Sequence, residues 1–169
     1  MNTIQLARHN CALTQAQLGY AANISAQAVL RYEQLLYEHI SEKIVNALVD
    51  NYGLDGNELR SGYQQDRVEQ RNLASTLVQP LPPITVSESE HPFVTWREKV
   101  GKTAVGNDSR VSFCILLAVH PGSVAAYEKG AIRSMPRSIK SALEQVIRDD
   151  EYVQKLEQFG EYWYDRRTA

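Results

Sequence analysis

Histidine and cysteine, which often ligate metals or act as nucleophiles, are few and widely spaced in this chain. They are His9, His39, His91, His120, Cys11 and Cys114. None of these positions shows the intervals of a zinc site, and the two cysteines do not suggest a disulfide framework. We therefore expect no metal site and no cofactor. Both cysteines lie among apolar residues, and we interpret them as small core residues in a reducing compartment.

One short stretch imitates a nucleotide-binding loop. Gly101-Lys102-Thr103 resembles the end of a P-loop, but Trp96 occupies the place of its first glycine and no strand pattern precedes it. Nor can a nucleophile, a base and an orienting acid be grouped into one catalytic set. We therefore expect no ATP binding and predict that the protein is not an enzyme.

Charge is nearly balanced overall but unevenly distributed along the chain. The formal net charge is −2, made up of −1 in residues 1–52, −3 in residues 53–90, +5 in residues 91–148 and −3 in residues 149–169. Salt screens each exposed charge beyond about 8 Å. A local basic block therefore matters more for phosphate contact than the total charge.

Apolar residues recur at helical spacing through the first half of the chain. Thr14, Ser25 and Ser41 stand where helix N-caps are expected, and Asn23 can adopt the left-handed conformation that ends a helix. A further helix is expected within residues 55–78. The pattern predicts a small helical domain over residues 1–78.

A proline-rich segment follows this domain. Residues 79–92 contain four of the six prolines, which favour extended chain and predict a semi-rigid linker. A second helical domain is expected over residues 93–169. It ends in an aromatic-rich helix, which we expect to be locked onto its own domain.

The two halves align without a gap at an offset of 95 residues, which indicates an internal repeat. The alignment pairs Leu18 with Phe113, Val29 with Val124, Tyr32-Glu33 with Tyr127-Glu128, and Ile44 with Ile139. Most of the matches are core-facing helix positions. The shared Tyr-Glu pair is what favours a true repeat over chance similarity.

The segment LTQAQLGYAANISAQAVLRYEQ, Leu13 to Gln34, resembles the helix-turn-helix of Cro/CI (XRE-type) repressors. The resemblance extends over about residues 3–60. It implies an all-α fold of two small lambda-repressor-like helix-turn-helix bundles joined by the proline-rich linker.

The resemblance also implies roles for individual residues. The positions that would contact DNA are Gln15, Ser25, Ala26, Gln27, Arg31 and Gln34. Gln15 and Gln34 would bind phosphates, while Gln27 suits adenine and Arg31 suits guanine in the major groove. Arg8 and Glu33 would form a buried ion pair that orders the domain.

Ser109 to Gly130 resembles the same family less closely. Its implied DNA-contacting positions are Arg110, His120, Gly122, Ser123, Lys129 and Arg133. Proline and glycine at Pro121 and Gly122 make poor base readers, so this domain would bind mainly phosphates. Glu128 would pair with Arg97. Ala118 stands at a left-handed position, which costs about 1 kcal/mol or more.

The first domain departs from the family after Glu33, where Leu35-Leu36-Tyr37 replaces the usual glycine. We expect a monomer that binds an asymmetric DNA site with its two domains. The competing arrangement is a dimer formed through Leu35–Tyr37 or through the C-terminal aromatic helix.

The function predicted from the sequence is sequence-specific binding of double-stranded DNA by a transcriptional regulator, a repressor of phage or bacterial type. The alternative is a protein–protein interaction module with the same fold, such as an antirepressor or co-regulator. No signal-peptide or membrane-spanning pattern is present, so we expect no membrane partner and a cytoplasmic location.

Overall fold

A computed structural model describes all 169 residues, which form ten α-helices and no β-strand. The helices are α1 (Thr3–Asn10), α2 (Gln15–Ala22), α3 (Ala26–Glu33), α4 (Glu42–Tyr52), α5 (Gly56–Leu77), α6 (Pro92–Ala104), α7 (Arg110–Leu117), α8 (Pro121–Glu128), α9 (Arg137–Ile147) and α10 (Asp150–Thr168). The all-α fold class is thereby confirmed. None of these helices combines the length and apolar character that crossing a bilayer requires.

The chain divides into two units, Met1–Glu69 and Gln70–Ala169. This division lies within α5, earlier than the boundary predicted at residue 78. The predicted linker, residues 79–92, belongs to the second unit. Leu81 and Ile84 pack against its apolar core, and the Tyr152 hydroxyl donates a hydrogen bond to the Pro82 carbonyl. Prolines keep this segment extended, but the apolar side chains between them fold it onto that core instead of leaving it free.

The core of unit 1 receives a fully buried side chain from each of the first four helices. Ile4, Leu18, Val29 and Ile44 all have no exposed surface. Tyr63 of α5 is buried with them, and its hydroxyl donates a hydrogen bond to the Tyr37 carbonyl at 2.6 Å. Four short helices therefore share one apolar centre.

The Leu35–Tyr37 segment lies inside this unit. Leu35 and Leu36 are buried, and the ring of Tyr37 lies 4.4 Å from that of Tyr32, centroid to centroid. Leu35 has a φ of 64°, in the left-handed region that glycine adopts most readily. Burial within the same unit accounts for the apolar character of Leu35 and Leu36, and a dimer interface through this segment stays a prediction.

Unit 2 has a larger, aromatic core. Phe93, Phe113, Val124 and Leu143 come from α6 to α9, and Leu156 comes from α10. Within this unit the Trp96 indole donates a hydrogen bond to the Tyr152 hydroxyl at 2.8 Å. The aromatic terminal helix is thus locked onto its own unit, as expected.

The internal repeat extends to helix bounds and backbone conformation. Helices α7, α8 and α9 begin and end 95 residues after α2, α3 and α4. Left-handed residues recur at the same offset, as the pairs Asn23 and Ala118, Leu35 and Gly130, and Gly53 and Arg148. Two different sequences therefore produce the same succession of helices and turns.

Candidate nucleic-acid interface

Helix α3 is held against α2 by a short turn with defined caps. The Thr14 hydroxyl accepts a hydrogen bond from the Gln17 amide, and the Gln17 side chain accepts one from the Thr14 amide, so α2 begins with a capping box. Asn23, with a φ of 57°, ends α2. The Ser25 hydroxyl then caps α3 by accepting from the Ala28 amide at 3.0 Å. These caps determine where α3 starts and which of its faces is buried.

The exposed face of α3 carries the residues predicted to read bases. Ser25, Ala26, Gln27 and Arg31 are all exposed, while Val29 on the opposite face is fully buried. Neither Gln27 nor Arg31 forms an ion pair or a side-chain hydrogen bond within the chain. Their donors and acceptors are therefore available to an external partner. Gln34, the C-cap residue of α3, is half-buried.

Glu33 organises the interior behind this face. Its carboxylate accepts a hydrogen bond from Arg8 Nε at 2.6 Å, and the side chain is 1% exposed. Arg8 also donates to the Leu13 carbonyl at 3.0 Å. The predicted Arg8–Glu33 ion pair is confirmed. It joins α1, the end of α3 and the chain just before α2.

Gln15, which was predicted to contact a phosphate, has a hydrogen-bond partner within unit 1. Its side-chain nitrogen donates to the second carboxylate oxygen of Glu33 at 2.5 Å. This hydrogen bond turns inward the amide that was expected to contact a phosphate. The second oxygen of the buried carboxylate needs a donor, and Gln15 is the first residue of the adjacent helix. Gln15 therefore stabilises unit 1 in this structure.

Unit 2 repeats this arrangement around Glu128. The carboxylate accepts from Arg97 Nε at 2.6 Å and from Arg110 Nε at 2.8 Å, and Arg97 also donates to the Asp108 carbonyl at 2.8 Å. The predicted Arg97–Glu128 pair is confirmed. Arg110, expected to contact phosphate, is instead held by Glu128 and retains only a partly exposed side chain.

Burial raises the pKa of the Cys114 thiol to about 12, consistent with the core role expected for this cysteine.

The predicted reading positions of α8 offer little to a base edge. One ring nitrogen of His120 accepts the Gly122 amide at 3.0 Å and so caps the helix. Gly122 is exposed but has no side chain, and Ser123 is half-buried. Pro121 occupies the first turn. The exposed N-terminal face of α8 therefore lacks the guanidinium and amide groups that α3 presents.

Of the five basic side chains that follow α8 within residues 91–148, two pair with acids of α10. Arg133 contacts Asp165 through two hydrogen bonds of 2.8 and 3.0 Å, and it lies 3.5 Å from Glu161. Hydrogen bonds from Arg133 hold the pKa of Asp165 below its ordinary value. Lys140 pairs with Glu157 at 3.3 Å, whereas Lys129 is exposed without an ion pair.

Sequence analysis missed this acidic stripe. Glu157, Glu161 and Asp165 recur every four residues, which places them on one face of a helix. That spacing was visible in the sequence, but only the packing of α10 shows which basic side chains the stripe meets. The consequence is that the stripe neutralises two cations of the basic block of residues 91–148, Arg133 and Lys140, within unit 2.

The chain matches no protein-family model, and no curated protein or solved structure shows significant similarity to it.

Proposed function

We propose that this protein is a transcriptional regulator that binds double-stranded DNA in a sequence-specific manner through α3 of unit 1. The observation that carries the proposal is the exposed face of α3, where Gln27 and Arg31 have no side-chain partner within the chain and follow the cap residue Ser25. The resemblance to Cro/CI repressors supports the same assignment. A repressor of phage or bacterial type would act by occupying its operator and blocking polymerase.

The chemistry of this face suits the major groove, which is about 12 Å wide and admits an α-helix. Arg31 can donate two hydrogen bonds to O6 and N7 of guanine, and the amide of Gln27 can pair with N6 and N7 of adenine. The methyl group of Ala26 suits contact with a thymine methyl. Ala26, Gln27 and Arg31 thus offer three different base preferences.

The charge of unit 1 determines how such binding would depend on salt. Residues 1–69 carry five lysine and arginine side chains against eight acidic ones. Attraction to phosphates scales with the number of cationic contacts, so unit 1 should bind random DNA weakly. Discrimination would then come mainly from short-range contacts to base edges, with a shallow dependence of affinity on salt.

A second candidate function applies to unit 2. The exposed face of α8 lacks strong base readers, and Arg110 and Arg133 are engaged by acids. This favours contact with another protein over base reading, as in an antirepressor or co-regulator. Under this alternative, unit 2 would recruit or block a partner while unit 1 reads the DNA.

Selection of binding sites from a random pool of double-stranded DNA tests the proposal. The full chain should enrich a short motif that contains guanine at the Arg31 position. The Arg31→Ala variant should lose the preference for that guanine. Arg60→Ala is its matched control, because Arg60 is a partly exposed arginine of unit 1 that lies on α5 and pairs with Glu42. Enrichment of no motif by the full chain would reject sequence-specific reading, and mobility shifts on random fragments would then separate non-specific binding from none.

A further inference from the structure

Unit 2 contains a pocket of about 620 Å³ formed by residues 86–91, the end of α8 and the last turns of α10. This volume lies within the range of about 300–1,000 Å³ typical of small-molecule sites. Its walls include the side chains of Val86, Val94, Lys129, Trp163, Arg166 and Arg167. We refer to it as the α8–α10 pocket.

Two arginines of this pocket are held against aromatic rings. The guanidinium of Arg167 lies 5.2 Å from the centre of the Trp163 ring, and that of Arg166 lies 5.7 Å from the centre of the Tyr162 ring. Arg167 also donates a hydrogen bond to the Lys129 carbonyl at 2.7 Å. A guanidinium has five N–H donors, so Arg167 keeps several for a ligand while its orientation is set by the ring and the carbonyl.

The free charge of the pocket is positive. Glu128 lines it, but Arg97 and Arg110 already neutralise that carboxylate. The remaining cations are Lys129, Arg166 and Arg167, and the remaining acids are Glu88 and Glu90. Glu88 lies 3.7 Å from Arg166, and both side chains are largely exposed, so their attraction is weak. The excess of one positive charge suits a ligand with a single negative charge.

The apolar part of the wall suits a flat ring. Trp163 is half-buried, and its ring lies 4.9 Å from that of His91, centroid to centroid. Val86 and Val94 add aliphatic surface. Burial lowers the pKa of His91 to about 4, so this ring is neutral at pH 7 and adds no charge to the wall.

We propose that the α8–α10 pocket binds a small planar aromatic monocarboxylate, with the ring against Trp163 and the carboxylate between Arg166 and Arg167. Guanidinium groups match carboxylates through paired, charge-assisted hydrogen bonds. Lys129, the C-cap residue of α8, lines the pocket, and α8 is the helix of unit 2 that corresponds to α3. Such a ligand would therefore contact unit 2 beside α8.

Isothermal titration of the full chain with 2-naphthoate tests this proposal, with 2-naphthamide as the uncharged control of the same shape. We expect saturable binding of 2-naphthoate about tenfold tighter than that of 2-naphthamide, since the amide lacks the charge-assisted contact. The chain has two tryptophans, so NMR of the indole N–H groups locates the site. The Trp163 signal should shift while that of the buried Trp96 should not.

Arg166→Gln should bring the 2-naphthoate affinity down to that of 2-naphthamide. Arg148→Gln is the matched control, an exposed arginine of unit 2 outside the pocket, and should leave the affinity unchanged. Thermal melts of both variants establish that each is folded, and Arg167→Gln supplies a second test.

The proposal would be overturned by equal affinity for the two probes or by absence of saturation. It would also be overturned by an NMR shift confined to Trp96, or by unchanged 2-naphthoate binding in both pocket variants. No DNA is present in these measurements. Their outcome is therefore independent of the proposed function.

Discussion

Glu33 and Glu128 occupy equivalent places 95 residues apart, each as the last residue of a helix and each with a side chain 1% exposed. Each carboxylate accepts from an arginine of the first helix of its repeat and from the first residue of the next helix. In each repeat that arginine also donates to a carbonyl just before the second helix, at Leu13 or Asp108. One buried acid therefore joins three segments in each unit.

Removing this buried charge should destabilise the protein strongly. Glu128→Gln leaves Arg97 buried without a counter-charge, which costs about 3–5 kcal/mol when one partner of a buried pair is lost. Urea denaturation followed by circular dichroism measures the change. Glu144→Gln, at an exposed position of α9, should change stability by less than about 0.5 kcal/mol. Equal effects of the two substitutions would reject the structural role of Glu128.

The left-handed residues at the ends of α4 and α9 allow a reciprocal test of backbone strain. Gly53 has a φ of 67° with open space around its α-carbon, whereas Arg148 has a φ of 57° at the equivalent place. A side chain costs about 1–2 kcal/mol in this conformation. Gly53→Ala should therefore lower the melting temperature and Arg148→Gly should raise it. Shifts of the same sign in both variants would contradict the shared backbone geometry.

Arg31→Ala should relax DNA specificity at one base pair and weaken binding to the selected site by about 1–3 kcal/mol. The reason is that Arg31 lies one turn beyond the start of α3, exposed and without an ion pair. Competition mobility shifts with single-base variants of the selected site measure both effects. If the Arg31→Ala variant discriminates among the single-base variants of the site as the parent does, α3 is not the helix that reads bases.

Neutralising the acidic stripe of α10 should strengthen the binding of random DNA by unit 2. In the double variant Glu161→Gln/Asp165→Asn, Arg133 loses both its partners and becomes available to a phosphate. Each new phosphate contact should steepen the slope of log affinity against log salt by about 0.9. Fluorescence anisotropy over a salt series measures this slope.

The control for that experiment is Asp150→Asn/Glu151→Gln, which changes the net charge by the same amount at exposed positions of α10 without ion pairs. It should leave the slope nearly unchanged. If both double variants steepen the slope alike, net charge and not the release of Arg133 is responsible.

Acid should destabilise unit 2 through His91. Burial lowers the pKa of this residue to about 4 from an ordinary value of 6.5. Between these values His91 is protonated in the unfolded chain but not in the folded chain. The free energy of unfolding is therefore highest above about pH 6.5 and decreases as the pH falls toward 4. Melting temperatures measured across this range should show the decline.

His91→Asn retains a side-chain acceptor for the Phe93 amide that His91 now caps, but it does not titrate. Its melting temperature should be lower at neutral pH and should fall less between pH 6.5 and 4. A pH profile parallel to that of the parent would show that His91 does not govern the acid sensitivity.

The sequence by itself determined the helices and the repeat, because both rest on local physics. Caps such as Thr14 and Ser25 and apolar spacing depend on residues within a few positions of one another. They were sufficient for the all-α class, whereas the reading face of α3 and the buried pairs of Glu33 and Glu128 were implied by the resemblance to Cro/CI repressors. The pair recurs because a buried acid requires a cation, and such an acid ends both α3 and α8.

Only the tertiary structure decided features that depend on distant residues. It turned Gln15 and Arg110 toward buried carboxylates, paired Arg133 with α10, and folded residues 79–92 onto the core of unit 2. In each case the local pattern allowed two environments, solvent or protein. The choice was made by a partner from another helix that offered a charge or an apolar surface.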